Sequence, residues 1–205
     1  MISYNDILSA ERPFLIAGPC VIESRDHCLF MAEELKKISE KFGLIYVFKA
    51  SFDKANRTAL QNYRGVGLKK SIEIFNDVKK QVGVLTTTDF HESWQADELA
   101  ECIDILQIPA FLCRQTDMLV AAANTGKMVN VKKAQFISGY DTEKVVDKIA
   151  MSGNDKVFLT ERGNVHGYGD YVVDFRNITI MKKYAPVIFD VGHSLQHGCS
   201  GGSTG

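Results

Sequence analysis

Three cations and several short polar side chains follow an apolar run in the segment Phe48-Lys49-Ala50-Ser51-Phe52-Asp53-Lys54-Ala55-Asn56-Arg57-Thr58. Lys49, Lys54 and Arg57, beside Ser51, Asn56 and Thr58, suit a phosphorylated, anionic small molecule, because ammonium and guanidinium groups make charge-assisted hydrogen bonds to phosphate and carboxylate oxygens. A solvated basic loop is the competing reading, and recurrence weighs against it. Polar and ionisable groups end other apolar runs too: Cys20, Glu23 and Ser24; Asp89, His91 and Glu92; Gln107 through Ala110; Lys132 and Lys133; Glu161 and Arg162; Asp190, His193 and Gln196. Lys54, Lys132 and Arg162 follow three different runs, and if those runs are strands of one ring they converge on one mouth. A cationic rim on an apolar scaffold is the usual form of a phosphate-ligand enzyme. Cys20 and His193 make half of a metal site, since thiolate with imidazole suits zinc or ferrous iron better than magnesium. For Cys20 a packed thiol is the alternative. No GxxxxGK[ST] or GxGxxG is present, so no nucleotide cofactor is expected.

The elements that must position these residues are legible as alternating runs. Strands are expected at Phe14–Ala17, Leu44–Phe48, Val84–Thr88, Ile103–Ile108, Met128–Val131, Val157–Thr160 and Val187–Asp190. Helical periodicity fills the intervals, at Arg25–Phe42 and Leu68–Val82 and, more briefly, near Ser93–Glu101, Thr116–Thr125, Asp141–Ser152 and Asn177–Tyr184. Gly126 and Gly153 are placed to end two of them. No strand pair is close enough for a tight hairpin, which predicts a parallel sheet with right-handed crossovers. A doubly wound sheet and a (β/α)8 TIM barrel both fit. The barrel is favoured because reactive residues follow nearly every strand rather than one switch point.

The 205 residues carry 24 Lys+Arg against 25 Asp+Glu, a net charge of -1, which argues against nucleic-acid binding and against a polybasic membrane surface. The N-terminus lacks a basic and apolar leader pattern, and no apolar run approaches the ~18 residues of a membrane span. Five cysteines (Cys20, Cys28, Cys102, Cys113, Cys199) form no CxxC pair, as expected of free thiols in the cytoplasm. Cys28 and Cys102 read as small core residues.

Taken together, AGPCVIES at 17–24, FKASFDKANRT at 48–58, YRGVGL at 63–68, TDFHE at 88–92, QIPAFLCRQTD at 107–117, VNVKKAQF at 129–136, ERGNVHGY at 161–168, VVDF at 172–175 and PVIFDVGHSLQ at 186–196 resemble the 3-deoxy-D-manno-octulosonate 8-phosphate synthases, also called 2-dehydro-3-deoxyphosphooctonate aldolases. The 3-deoxy-7-phosphoheptulonate synthases share the first motif and the cationic mouth, but carry a KPRTSP-like segment where this chain has Lys54-Ala55-Asn56-Arg57. The resemblance implies condensation of phosphoenolpyruvate with arabinose 5-phosphate and water, yielding inorganic phosphate and an eight-carbon sugar acid phosphate for lipopolysaccharide. It implies that Lys54, Lys132 and Arg162 hold the phosphate and carboxylate of phosphoenolpyruvate, with Gln107, the Ala110 backbone and Lys49 in the same pocket. Asn56 and Ser51 would contact the pentose, and Arg57 its phosphate from a neighbouring subunit of a tetramer. Asp89 joins Lys54, Lys132, Asn56, Cys20 and His193 among the expected catalytic residues, and Gln196 among the substrate contacts.

Cysteine at position 20 implies the metal-dependent type, with zinc or iron, or else manganese, on Cys20 and His193. Its other two ligands, a Glu and an Asp, are expected from an eighth strand region. Seven of eight strands are read here, so residues 1–205 are expected to form a single, C-terminally incomplete barrel domain, and an inactive ligand-binding fragment is the rival of another class. Gly192 and His166 depart from the residues usual at those positions.

Overall fold

The computed structural model describes residues 2–165 and 169–196; His166 and Cys199 lie outside them. The order is α1 (Tyr4–Ser9), β1 (Leu15–Ala17), α2 (Arg25–Lys41), β2 (Tyr46–Lys49), α3 (Leu68–Val82), β3 (Leu85–Asp89), α4 (Gln95–Ala100), β4 (Ile105–Ile108) and α5 (Thr116–Asn124). There follow β5 (Met128–Lys132), α6 (Thr142–Met151), β6 (Val157–Glu161), β7 (Asn164–Val165), β8 (Tyr171–Val172), α7 (Arg176–Met181), β9 (Val187–Phe189) and α8 (Val191–Ser194). Each of the seven expected strands is present and parallel to its neighbours, in the order β1-β2-β3-β4-β5-β6-β9.

The sheet curls. Phe14, just before β1, brings its ring to 5.4 Å from that of Phe158 on β6. In a flat sheet strands five places apart would stand about 24 Å from one another, at ~4.8 Å per spacing. The curled sheet is part of a (β/α)8 barrel, and among the described residues β1 and β9 each pair on one side only.

Alternation along the strands divides their residues between two faces. Phe48, Leu106, Val129 and Leu159 face outward into the core shared with the helices. Val47, Leu85, Ile105, Met128 and Phe158 point inward and form an apolar floor, which Ile7 of α1 closes from below. One layer higher the interior turns polar: Thr160 Oγ1 donates to Asn130 Oδ1 (2.7 Å), and Asn130 Nδ2 to Gln107 Oε1 (3.3 Å). The next inward positions are Lys49, Asp89, Lys132 and Arg162, at the C-terminal mouth.

Helix boundaries follow local chemistry. Ser24 Oγ accepts the His27 N–H to start α2, and Gly83, at φ +71°, ends α3 in a left-handed conformation that glycine adopts without steric cost. Gly126 and Gly153 follow α5 and α6 with φ of +68° and +87°. Cys28 and Cys102 are buried. Two features differ from expectation. The sequence periodicity gave no sign of α1, which a Ser3–Asp6 capping box nucleates. The short strands β7 and β8, which pair antiparallel (Asn164 with Val172, Val165 with Tyr171), were not among the expected strands. Two-residue strands are too short to leave a hydrophobic alternation.

Candidate active site

The β1 end closes onto β2 through Gly18. A Cβ there would lie 2.0 Å from the Lys49 carbonyl oxygen, so only glycine permits this approach. Beyond it, Val21 bridges to Ser51 and the Ile22 N–H donates to the Ser51 carbonyl (2.9 Å), which sets Cys20 at the mouth. The loop after β2 is anchored by buried Phe52 and folded back on itself. The Lys54 N–H donates to the Arg64 carbonyl (2.7 Å), while the Arg64 guanidinium holds Asp53 (2.8 Å from Nε). Lys54 therefore leaves a braced turn.

These ends surround a cavity of about 560 Å³ lined by Cys20, Lys49, Lys54, Asn56, Arg57, Asp89, Gln107, Ala110, Lys132, Arg162, His193 and Gln196, together with His91, Glu92, Gln135 and Phe111. All the candidate residues but one share it. Ser51 is fully buried, at the bridge to Val21, and does not line the cavity. Arg57 lines the cavity of its own chain, whereas the resemblance implies a contact across a subunit boundary.

The cations differ in their support. Lys132 Nζ lies 2.5 Å from Asp190 Oδ2, and that oxygen also accepts from His193 Nδ1 (2.8 Å). Asp190 additionally caps α8 by accepting the His193 N–H (3.0 Å). Burial pushes the Lys132 ammonium down, with Asp190 opposing. Burial alone would raise the Asp190 carboxyl, but the His193 hydrogen bond and Lys132 together hold it well below the usual range. The Asp190 hydrogen bond pulls the His193 imidazole up, yet burial and the cations Lys132 and Arg162 outweigh it and keep it low. Asp89 behaves like Asp190: burial is outweighed by the His91 hydrogen bond and by Lys49 and Lys54, so it stays ionised. Arg162 is 4% exposed, its Cζ lies 4.4 Å from the Tyr171 ring centre, and its Nε and Nη1 have no partner among the described residues. Buried unpaired donors are costly, so these mark where an anion belongs.

Burial, then repulsion from Lys54, lowers the Lys49 ammonium to about 8. As pH rises through that value Lys49 loses its proton, and the cavity loses a positive charge. Affinity for sulfate, whose own charge is fixed, should fall between about pH 7 and about pH 9. In Lys49→Met most of this fall should vanish; a calorimetric pH series with an equal slope in both proteins would contradict the assignment.

Cys20 and His193 line the same cavity. With Nδ1 of His193 held by Asp190, Nε2 is left for coordination, the arrangement typical of a metal-ligating histidine. The donor set fits a transition metal. Among the described residues no group of three or more His, Cys, Asp or Glu is gathered for one.

Asp190, His91 and the buried pair Lys133–Glu161 were not singled out as site residues from sequence. Adjacent Lys132 and Lys133 could have been told apart by strand alternation; Asp190 pairs with nearby His193, but its cationic partner Lys132 lies 58 residues away.

A profile of the DAHP synthetase I family matches residues 6–199. The 2-dehydro-3-deoxyphosphooctonate aldolase of Bartonella henselae is 51% identical over 204 residues, covering 98% of this chain and 73% of that protein. The chain belongs to the DAHP synthetase I family, and within it to the 2-dehydro-3-deoxyphosphooctonate aldolases. Proteins of that name from a Chelativorans species and from Brucella ovis are 54% and 53% identical over 193 residues, covering 93% of this chain and 70% of each. Of the motif segments that carry the resemblance, those at 17–24, 48–58, 88–92, 107–117, 129–136, 161–168 and 186–196 contribute residues to the cavity. Among the described residues no helix is long and apolar enough to cross a membrane.

Proposed function

We propose that this protein condenses phosphoenolpyruvate with D-arabinose 5-phosphate and water to give 3-deoxy-D-manno-octulosonate 8-phosphate and inorganic phosphate, a transferase step supplying lipopolysaccharide. The observation that carries this reading is the convergence of Lys49, Lys54, Arg57, Lys132 and Arg162 on one cavity, with Nε and Nη1 of Arg162 buried and without a partner among the described residues. Lys54, Lys132 and Arg162 hold the phosphate and carboxylate of phosphoenolpyruvate, offsetting their mutual repulsion, with Gln107 and Ala110 on the adjoining wall. Asn56 and Arg57 face the pentose phosphate. A carbon–carbon bond forms between the enolpyruvate methylene carbon and the aldehyde carbon, the aldehyde oxygen takes up a proton, and water displaces phosphate. Lys49, lowered to about 8, can hand a proton to that oxygen near neutral pH. Asp89, held ionised, keeps the surrounding cations charged.

A divalent transition metal on Cys20 and His193, zinc or iron by donor softness, would supply an electrophile at the mouth. Cys20→Ser should lose metal after chelation and reloading, measured by elemental analysis; unchanged stoichiometry would rule out Cys20 as a ligand. We place the enzyme in the cytoplasm as a homo-oligomer, a tetramer by analogy with the family. The names of relatives at 51–54% identity favour the eight-carbon over the seven-carbon product. Mass analysis of the product decides: the eight-carbon acid phosphate from arabinose 5-phosphate is expected, and a product formed only from erythrose 4-phosphate would overturn the proposal.

A further inference from the structure

Lys132 and Lys133 are neighbours in sequence, but only Lys132 lines the cavity. Lys133 lies 1% exposed behind it, its ammonium 3.5 Å from Glu161 Oε1, and neither of these two side chains has any exposed surface. Lys133 Nζ donates to Asn164 Oδ1 (2.5 Å), to the Ala134 carbonyl (3.2 Å) and to the Ile137 carbonyl (3.4 Å). Glu161 Oε1 accepts the backbone N–H groups of Arg162 (2.9 Å) and Gly163 (2.6 Å). Gly163 turns the chain at φ +89°. One ion pair therefore ties the loop after β5, which carries the cavity residue Gln135, to the turn after β6, which carries Arg162.

A buried pair is a poor device for stability alone, because desolvation offsets most of the attraction and apolar groups of equal volume often serve as well. We infer that Lys133 and Glu161 are positioning residues that aim Arg162 and Gln135 into the cavity. The inference rests on the proposed role of Arg162 as a ligand for the substrate anion. It assigns the second lysine of the Lys132-Lys133 pair to the frame of the site instead of to the substrate.

The test is calorimetric titration with phosphoenolpyruvate, with thermal unfolding alongside, on the parent protein and on Glu161→Leu, Lys133→Met, Glu161→Gln and the double variant Lys133→Met/Glu161→Leu. Each apolar single variant strands a buried charge and loses stability; the double variant regains much of its Tm. It should still bind about tenfold more weakly than the parent, since the Arg162 and Gly163 N–H groups have lost their acceptor. Glu161→Gln keeps an oxygen at that point and should stay within about threefold of parental affinity. A double variant with regained Tm and parental affinity would overturn the inference. Should the apolar variants not fold, Asn164→Ala removes the 2.5 Å acceptor of Lys133 and decides in their place. Several-fold weaker binding is then expected, and unchanged affinity overturns the inference. A parent that binds no phosphoenolpyruvate would refute the proposed function instead, and sulfate then serves as the probe of Arg162 in the same variants.

Discussion

Lys132→Ala should weaken phosphoenolpyruvate binding by roughly 10–150-fold, the equivalent of about 1.5–3 kcal/mol for one charge-assisted hydrogen bond. The upper part of that range is expected, because the substitution removes more than a donor. Asp190 loses the ammonium lying 2.5 Å away, and its carboxylate then stands unopposed beside an incoming anion. Lys70→Ala, on the exposed face of α3, is the control and should leave affinity unchanged. Calorimetric titration of both variants checks this, with thermal unfolding confirming that each is folded. Equal affinity in the parent and in Lys132→Ala would remove Lys132 from the binding site.

The second large effect lies at the other end of the barrel. Phe158 is fully buried, touches the rings of Tyr4 (5.0 Å) and Phe14 (5.4 Å), and fills the floor with Ile7, Val47, Leu85, Ile105 and Met128. Phe158→Ala removes this contact between β6, the chain before β1 and α1, and should cost about 3–5 kcal/mol of stability. At ~2–4 °C per kcal/mol for a chain of this size, that is a Tm lower by roughly 6–20 °C. The polar layer of Thr160, Asn130 and Gln107 separates Phe158 from the mouth, so anion affinity of the folded variant should be near parental. Urea unfolding that shows a loss below about 1 kcal/mol would mean the floor is not close-packed.

How far the sequence revealed this architecture differs between scaffold and site. Long elements were legible because each carried its own period: the apolar stripe of α3 with Gly83 behind it, or the run Leu44–Phe48 that becomes β2. The six-residue α1 has too few turns to show a stripe, and its Ser3–Asp6 box holds aspartate where glutamate or glutamine is the usual sign. The ribbon β7–β8 is shorter still, yet it sets Tyr171 beneath Arg162. At the mouth, residue type and position after a strand were enough to gather Lys54, Lys132, Arg162, Cys20 and His193 on one cavity. Ser51 escaped that logic: it shares the parity of the inward-facing Val47 and Lys49, yet past the end of β2, at the bridge to Val21, it is fully buried and does not line the cavity. Asp190 and Glu161 escaped it for another reason. Their value depends on partners 58 and 28 residues away, Lys132 and Lys133, and such pairings exist only once the sheet has closed.

A crystal structure of the protein with phosphoenolpyruvate bound tests the central claim most directly. The account predicts the phosphate and carboxylate within hydrogen-bond distance of Lys54, Lys132 and Arg162, with Arg162 Nε and Nη1 now paired and the enolpyruvate carbon facing the Asn56–Arg57 side of the cavity. Phosphoenolpyruvate seated elsewhere, or in the cavity with Arg162 unengaged, would contradict it.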